Sequence, residues 1–285
     1  MTFTTLIDTQ ALAERLNDPD VTIIDCQFDL HDAQWGEREY LKAHVPGAVY
    51  ADLNRDLAGT KTGANGRHPL PDPADLAATF GRLGIATGAQ VVAYDQDTGM
   101  FASRLWWLLR WLGHSAVAVL DGGLVAWRSE GRPTRSGAEL RPARQFSGRP
   151  DASLVADTAV VEQIAAGKAR GQLLDARAAE RYRGEVEPID RTPGHIPTAR
   201  NRFFKDNLDA TGRFRSPDDL RADLTARLGG APSDSIVSYC GSGVTACHNL
   251  LALAHAGLHG GRLYPGSWSE WSSDERRPVG KGEKP

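Results

Sequence analysis

The chain has 285 residues, 41% of them hydrophobic and 24% charged, and a formal net charge of −3. Those proportions describe a globular protein long enough for two ordinary domains or one large one, and they provide no broad basic field for nucleic acid. The longest stretch without Asp, Glu, Lys or Arg, residues 235–261, contains His248, Asn249, His255, His259 and several glycines, so no membrane span is expected.

The N-terminus, MTFTTLIDTQALAERL, lacks a basic region, an apolar core and a small-residue cleavage site, so a cytoplasmic protein is expected. The first predicted strand is VTIIDCQFD (residues 21–29), an apolar run ending in Asp25. AHVPGA follows at 43–48, and residues 72–85 have the pattern of a helix. A second strand, VVAY, opens VVAYDQDTGM at 91–100 and leads into a helical stretch at 102–113. DGGLVAW at 121–127 closes the series.

The second half repeats these landmarks in the same order. QLLDARAAERY (172–182) answers the first strand and GHIPTA (194–199) answers AHVPGA. IVSYCGSGVT (236–245) answers VVAYDQDTGM, and YPGSWSEW (264–271) answers DGGLVAW. Offsets between the later pairs agree to within a single residue, which points to a duplication. The helix expected at 216–229 opens with a Ser cap, Pro and acids, and closes on Gly229.

Between the halves, residues 132–153 are rich in Pro, Gly and Arg and suit an exposed linker. A boundary near 145 gives domains 1–144 and 145–285. Alternating strands and helices predict an α/β fold, a mostly parallel sheet flanked by helices in each domain. Ligands of such sheets lie beyond the C-terminal strand ends.

Cys240 stands at such an end. Gly241 and Gly243 let the backbone curl so that N–H groups point inward, and a helix starting near Val244 adds its positive end. These features favour a negative charge at the loop centre and hence a Cys240 thiolate, able to accept sulfur as a persulfide without a cofactor. Cys247, inside the helix, and Cys26, after a buried strand, read as packing residues. Three cysteines in this spacing form neither a disulfide framework nor a metal site. Cysteine phosphatases place a phosphate-clamping Arg six positions after the Cys; here that residue is Ala246, which argues against ester hydrolysis.

CGSGVTA resembles the active-site loop of 3-mercaptopyruvate sulfurtransferases, and the duplicated HxPGA and GxxxW landmarks resemble tandem rhodanese domains over nearly the whole chain. The resemblance implies two rhodanese-like domains of which only the second is catalytic. Asp95, at the position matching Cys240, agrees, since a carboxylate cannot form a persulfide. It implies catalytic roles for Cys240 and Ser242, with His68 in GRHPLP as their relay partner. The acid of that relay falls on Asn54, flanked by Asp52 and Asp56.

The same resemblance implies a substrate cradle of Gly241, Gly243, Val244 and Thr245. It also implies two substrate-binding arginines, Arg181 before Tyr182 and a second for which Arg191 is the nearest candidate, one residue out of register. Arg177, in D-x-R, reads as structural, as do His44, His195, Trp127 and Trp271 at matched positions of both halves. The loop carries no cation, so the arginines are expected at a distance from the thiol. The expected donor is 3-mercaptopyruvate, with thiosulfate as the alternative; the acceptor is cyanide, a thiol or a thioredoxin-like protein. A rhodanese-fold binding module without activity is the reading from a different class.

Overall fold

The computed structural model describes residues 2–285 and divides into two compact units. The first contains residues 2–59, 71–151 and 210–214; the second contains Thr60–Leu70, Ala152–Asp209 and residues 215–285. Each unit therefore includes a short segment from the other half of the sequence.

In the first unit five strands, β1 (Leu6–Ile7), β2 (Val21–Asp25), β3 (Val49–Tyr50), β4 (Gln90–Tyr94) and β5 (Val117–Leu120), form a sheet in the order β1-β5-β4-β2-β3. Every pairing is parallel. Helices α1 (Thr9–Ala13), α2 (Trp35–Lys42), α3 (Pro73–Arg82) and α4 (Ala102–Trp111) connect them, and α5 (Gly123–Ser129) follows β5. All five β2 residues are buried, which explains why the strand reads as an unbroken apolar run rather than an alternation. Asp72 caps α3 through the Ala74 and Asp75 N–H groups, and Pro73 occupies the first turn.

The second unit repeats the plan with β6 (Gln172–Asp175), β7 (Arg200–Asn201), β8 (Ile236–Tyr239) and β9 (Arg262–Leu263), ordered β7-β6-β8-β9 and all parallel. An isolated parallel bridge, Val155 to Leu263, stands where β1 pairs with β5 in the first unit. The helices are α6 (Thr158–Ala165), α7 (Ala179–Tyr182), α8 (Pro217–Leu228), α9 (Thr245–His255) and α10 (Ser267–Trp271). Ser216 caps α8 through the Asp219 N–H, and Gly229 ends it at φ 61°.

The duplication extends to buried polar contacts. Asp25 pairs in register with Tyr94, and Asp175 with Tyr239. Tyr94 Oη donates to Asp25 at 2.6 Å and accepts the Val45 N–H at 3.0 Å; Tyr239 Oη accepts the Ile196 N–H at 3.2 Å. His44 and His195 each place Nδ1 2.8 Å from a backbone carbonyl, of Tyr40 and Tyr182 respectively. Trp127 and Trp271 are fully buried and donate from Nε1 to the Pro133 and Pro278 carbonyls. These four residues hold loops onto the sheets, the structural role expected from their symmetry.

Residues 132–151 behave differently from a free tether. Their side chains are mostly exposed, but the backbone is bonded along the first unit: Arg135 with His44, Arg144 to Gly81, and Asp151 to Trp111. Phe146 anchors the stretch by packing edge-on to Phe80. Composition alone registers the exposure and misses the backbone pairing.

Candidate active site

In the second unit the strand order reverses between β6 and β8, so their C-terminal ends open a crevice. Cys240 follows β8 directly, and residues 240–244 turn the chain into α9. Gly243 has φ 77°, and a β-carbon there would lie 2.5 Å from the Pro265 carbonyl oxygen; only glycine makes this turn. Cys240 is 2% exposed, and the Ser242 N–H approaches its Sγ at 3.4 Å.

The start of α10 fixes the cysteine from behind. Ser267 Oγ accepts the Cys240 N–H at 3.1 Å and donates to the Tyr264 carbonyl at 2.9 Å. Trp268 N–H bonds the Cys240 carbonyl and Ser269 N–H the Gly241 carbonyl, both at 2.9 Å. Ser267 achieves this at φ 53°, a left-handed conformation costly for a residue with a β-carbon; Gly123 takes the matching place at φ 58° in the first unit.

His68, carried by the Thr60–Leu70 segment, places Nδ1 2.8 Å from Ser242 Oγ, and both side chains are buried. The arginines lie closer than the sequence predicts. From the position a β-carbon would take at Gly241, Arg67 Nη2 is 2.7 Å away and Arg181 Nη1 3.6 Å. The expectation of distant cations is therefore corrected: two guanidiniums border the residue after the cysteine.

Both are held by carboxylates. Arg181 bonds Glu187 Oε1 at 2.6 Å and reaches Asp190 at 3.4 Å, while Arg67 pairs with Asp190. Glu187 also accepts from Arg177 at 3.2 Å. Burial, the largest single effect, opposes the Glu187 charge, but the Arg181 bond and charge together with the Asp190 and Ile189 N–H bonds hold the carboxyl below its ordinary value. Arg177, fully buried, is committed to Asp175, Glu187 and the Gly194 carbonyl and lies over the Trp268 ring, consistent with the structural role expected for it.

Arg191 is not brought to this group. Its side chain is 79% exposed and pairs with the similarly exposed Glu275, so its proximity in sequence to Arg181 does not carry over to space. Cys247 lies inside α9, with Sγ donating to the Gly243 carbonyl at 3.2 Å.

The first unit's matching loop is filled by its own side chain. Asp95 accepts N–H bonds from Asp97, Gly99, Phe101 and Ala102 at 2.7–3.2 Å. Burial raises its carboxyl to about 6, with the N–H bonds pulling the other way. A carboxyl group that accepts four N–H groups thus stands where Cys240 stands in the repeat, so this loop geometry turns its N–H groups inward. Elsewhere in the first unit, Asp52 accepts from the Asn54 and Arg55 N–H groups and Asp56 pairs with Arg55 and Arg82.

The model of the rhodanese-like domain matches this chain twice, at residues 8–130 and 158–274. The chain belongs to the rhodanese family. Relatives in the family include a Pseudomonas aeruginosa protein assigned as a 3-mercaptopyruvate sulfurtransferase, 52% identical over 98% of each chain. A Mycobacterium tuberculosis protein assigned as a thiosulfate sulfurtransferase is 40% identical over 92% of this chain and 91% of its own. Among solved structures, the 3-mercaptopyruvate sulfurtransferase of Leishmania major superposes with a TM-score of 0.84 at 31% identity, covering 97% of this chain and 76% of that one. This rhodanese is accordingly a sulfurtransferase built from two parallel α/β repeats, as the sequence predicts. Among its described residues no helix is long and apolar enough to cross a membrane.

Sequence reasoning missed Arg67, Asp190 and Ser267. The first carries a signal in its neighbour: GRHPLP contains His68, and the same segment brings in the adjacent arginine. Asp190 immediately precedes Arg191 in the chain.

Proposed function

We propose that the protein moves a sulfane sulfur from 3-mercaptopyruvate to a thiol or cyanide through a persulfide on Cys240, within the catalytic domain expected at 145–285. The observation that carries this reading is the conjunction at one loop of a buried cysteine, a Ser242–His68 pair and two guanidiniums. The Cys240 thiolate attacks the donor sulfur. The carbon–sulfur bond breaks, its electron pair stays on carbon as the enolate of pyruvate, and a proton completes pyruvate. Ser242, bonded to His68, is placed to stabilise or protonate the leaving enolate. Backbone around Gly241, Gly243, Val244 and Thr245 cradles the anionic intermediate. An acceptor thiolate then attacks the outer sulfur and returns Cys240.

No step needs a metal or an organic cofactor. The acceptor is a small thiol, cyanide or a thioredoxin-like protein, and the setting is the cytoplasm, where the three free thiols suit a reducing medium.

The test is a donor comparison, reading pyruvate from 3-mercaptopyruvate and sulfite from thiosulfate with the same acceptor. The second reading, a thiosulfate sulfurtransferase, draws support from the two cations beside Gly241, which also suit a dianion. Higher kcat/KM with thiosulfate would select it. Absence of turnover with both donors, and of any persulfide on Cys240, would leave a binding module.

A further inference from the structure

Arg67 and Arg181 converge on Gly241, yet the two carboxylates that hold them are unequal. Glu187 is tightly committed: besides Arg181 it accepts from Arg177 and from the Ile189 and Asp190 N–H groups, and its side chain is 2% exposed. The Asp190 carboxylate bonds guanidiniums, Arg67 closely and Arg181 at 3.4 Å. Its burial is nearly as deep, at 7% side-chain exposure, so its charge is desolvated with less compensation. In agreement, burial raises its carboxyl above the ordinary value despite Arg67.

We infer that Arg67 and Arg181 form the carboxylate subsite for the sulfur donor, and that Asp190 is an internal anion occupying that subsite until the donor's carboxylate displaces it. This rests on the donor reading above and deepens it by naming the second cation. Gly241 is what permits the arrangement. A β-carbon there would lie 2.7 Å from Arg67 Nη2, so a side chain would force the guanidinium to shift from this place. The cysteine is the very next residue back, so a short keto acid held by these arginines presents its sulfur toward Cys240. Arg191, exposed and paired with Glu275, is excluded from the role. The backbone bond from Arg67 N–H to Ser269 Oγ at 3.0 Å anchors the segment that delivers the guanidinium.

Exchange of one carboxylate for another conserves charge in the site. The donor thus binds without leaving an unpaired buried cation, while Asp190 must rotate toward solvent, and this exchange sets the apparent affinity. Removing the Asp190 charge while keeping its shape should therefore strengthen donor binding, the opposite of what a structural ion pair predicts.

The experiment measures binding and turnover separately. On a Cys240→Ser background, which cannot take sulfur, 3-mercaptopyruvate and pyruvate are each titrated by calorimetry. In the Cys240 enzyme, KM and kcat are measured with the same donor. Arg67→Gln is expected to weaken binding and raise KM about tenfold or more, with kcat changed less than about threefold. Arg67→Lys should recover part of the loss. Asp190→Asn should tighten binding by about threefold to tenfold. An unchanged KM in Arg67→Gln removes Arg67 from the subsite, and unchanged or weaker binding in Asp190→Asn reduces Asp190 to a structural partner. Failure of the donor reading itself looks different: the wild-type enzyme would form no persulfide from 3-mercaptopyruvate, whatever the titrations of the Cys240→Ser protein show.

Discussion

His68 Nδ1 and Ser242 Oγ lie 2.8 Å apart although 174 residues separate them in the chain. A hydroxyl so placed can pass or polarise a proton beside the cysteine, and general acid–base assistance of this kind is worth about a hundredfold or more. Ser242→Ala and His68→Gln are each expected to lower kcat for 3-mercaptopyruvate by about tenfold to a hundredfold. Because the two act as a unit, the double variant should lose little beyond either single one. Steady-state pyruvate release measures this; multiplying losses would mean that the residues act separately.

Cys240→Ser is expected to abolish transfer with the fold retained, since a hydroxyl cannot form a persulfide. Cys247→Ser should keep most activity, because Cys247 packs inside α9. Mass spectrometry after donor treatment should show a gain of about 32 Da, one sulfur, on the Cys240 peptide and not on those of Cys26 or Cys247. Turnover by the Cys240→Ser protein would rule out the mechanism.

Arg181→Ala and Arg191→Ala separate two arginines that look alike in sequence. Loss of a charge-assisted bond to a carboxylate costs about 1.5–3 kcal/mol, so Arg181→Ala should raise KM by about tenfold to a hundredfold. Arg191, whose pair with Glu275 is at the surface, should be replaceable with no change beyond experimental scatter. A raised KM in Arg191→Ala would show that this surface pair rearranges around the donor.

Donor choice follows from the loop's neighbours. Wild-type kcat/KM is expected to be higher with 3-mercaptopyruvate than with thiosulfate. By charge alone, Gly241→Arg with Ser242→Lys would add cations beside the thiol and shift preference toward the thiosulfate dianion. The structure revises this, since a side chain at 241 displaces the Arg67 guanidinium from its place beside Arg181. The double variant should lose activity toward both donors. A clean gain for thiosulfate, read as sulfite release, would contradict the packing around Gly241.

Asp25 provides a test of the first unit's electrostatics. Burial raises its carboxyl to about 7, opposed by bonds from Tyr94 and Gln27, whereas its counterpart Asp175 has the guanidinium of Arg177. The sign follows from proton counting. Between its ordinary value near 3.8 and about 7 the folded chain holds a proton that the unfolded chain has lost. This contribution to stability therefore declines as pH rises through that window. Thermal melts from pH 4.5 to 8 should show the difference between Asp25→Asn and wild type moving in favour of the variant. A difference that does not vary with pH would place the Asp25 proton elsewhere.

Much of the architecture was readable because it depends on local chemistry. Strands buried on both faces appear as apolar runs, Ser216 and Gly229 mark helix ends by capping, and duplication displays the same landmarks twice. The Cys-Gly-Ser-Gly loop was legible for the same reason: a tight turn at φ 77° against the Pro265 carbonyl restricts which residues can occupy it. What only the tertiary structure decided is which charges surround that loop. Arginines occur throughout residues 175–197, and spacing cannot separate Arg181, aimed at Gly241, from Arg191, turned to solvent. Arg67 lies more than a hundred residues before the cysteine, and its place is set by the packing of the Thr60–Leu70 segment into the second unit. Coulomb energy depends on distance in space, and long polar side chains find their partners only after the backbone has brought remote segments together.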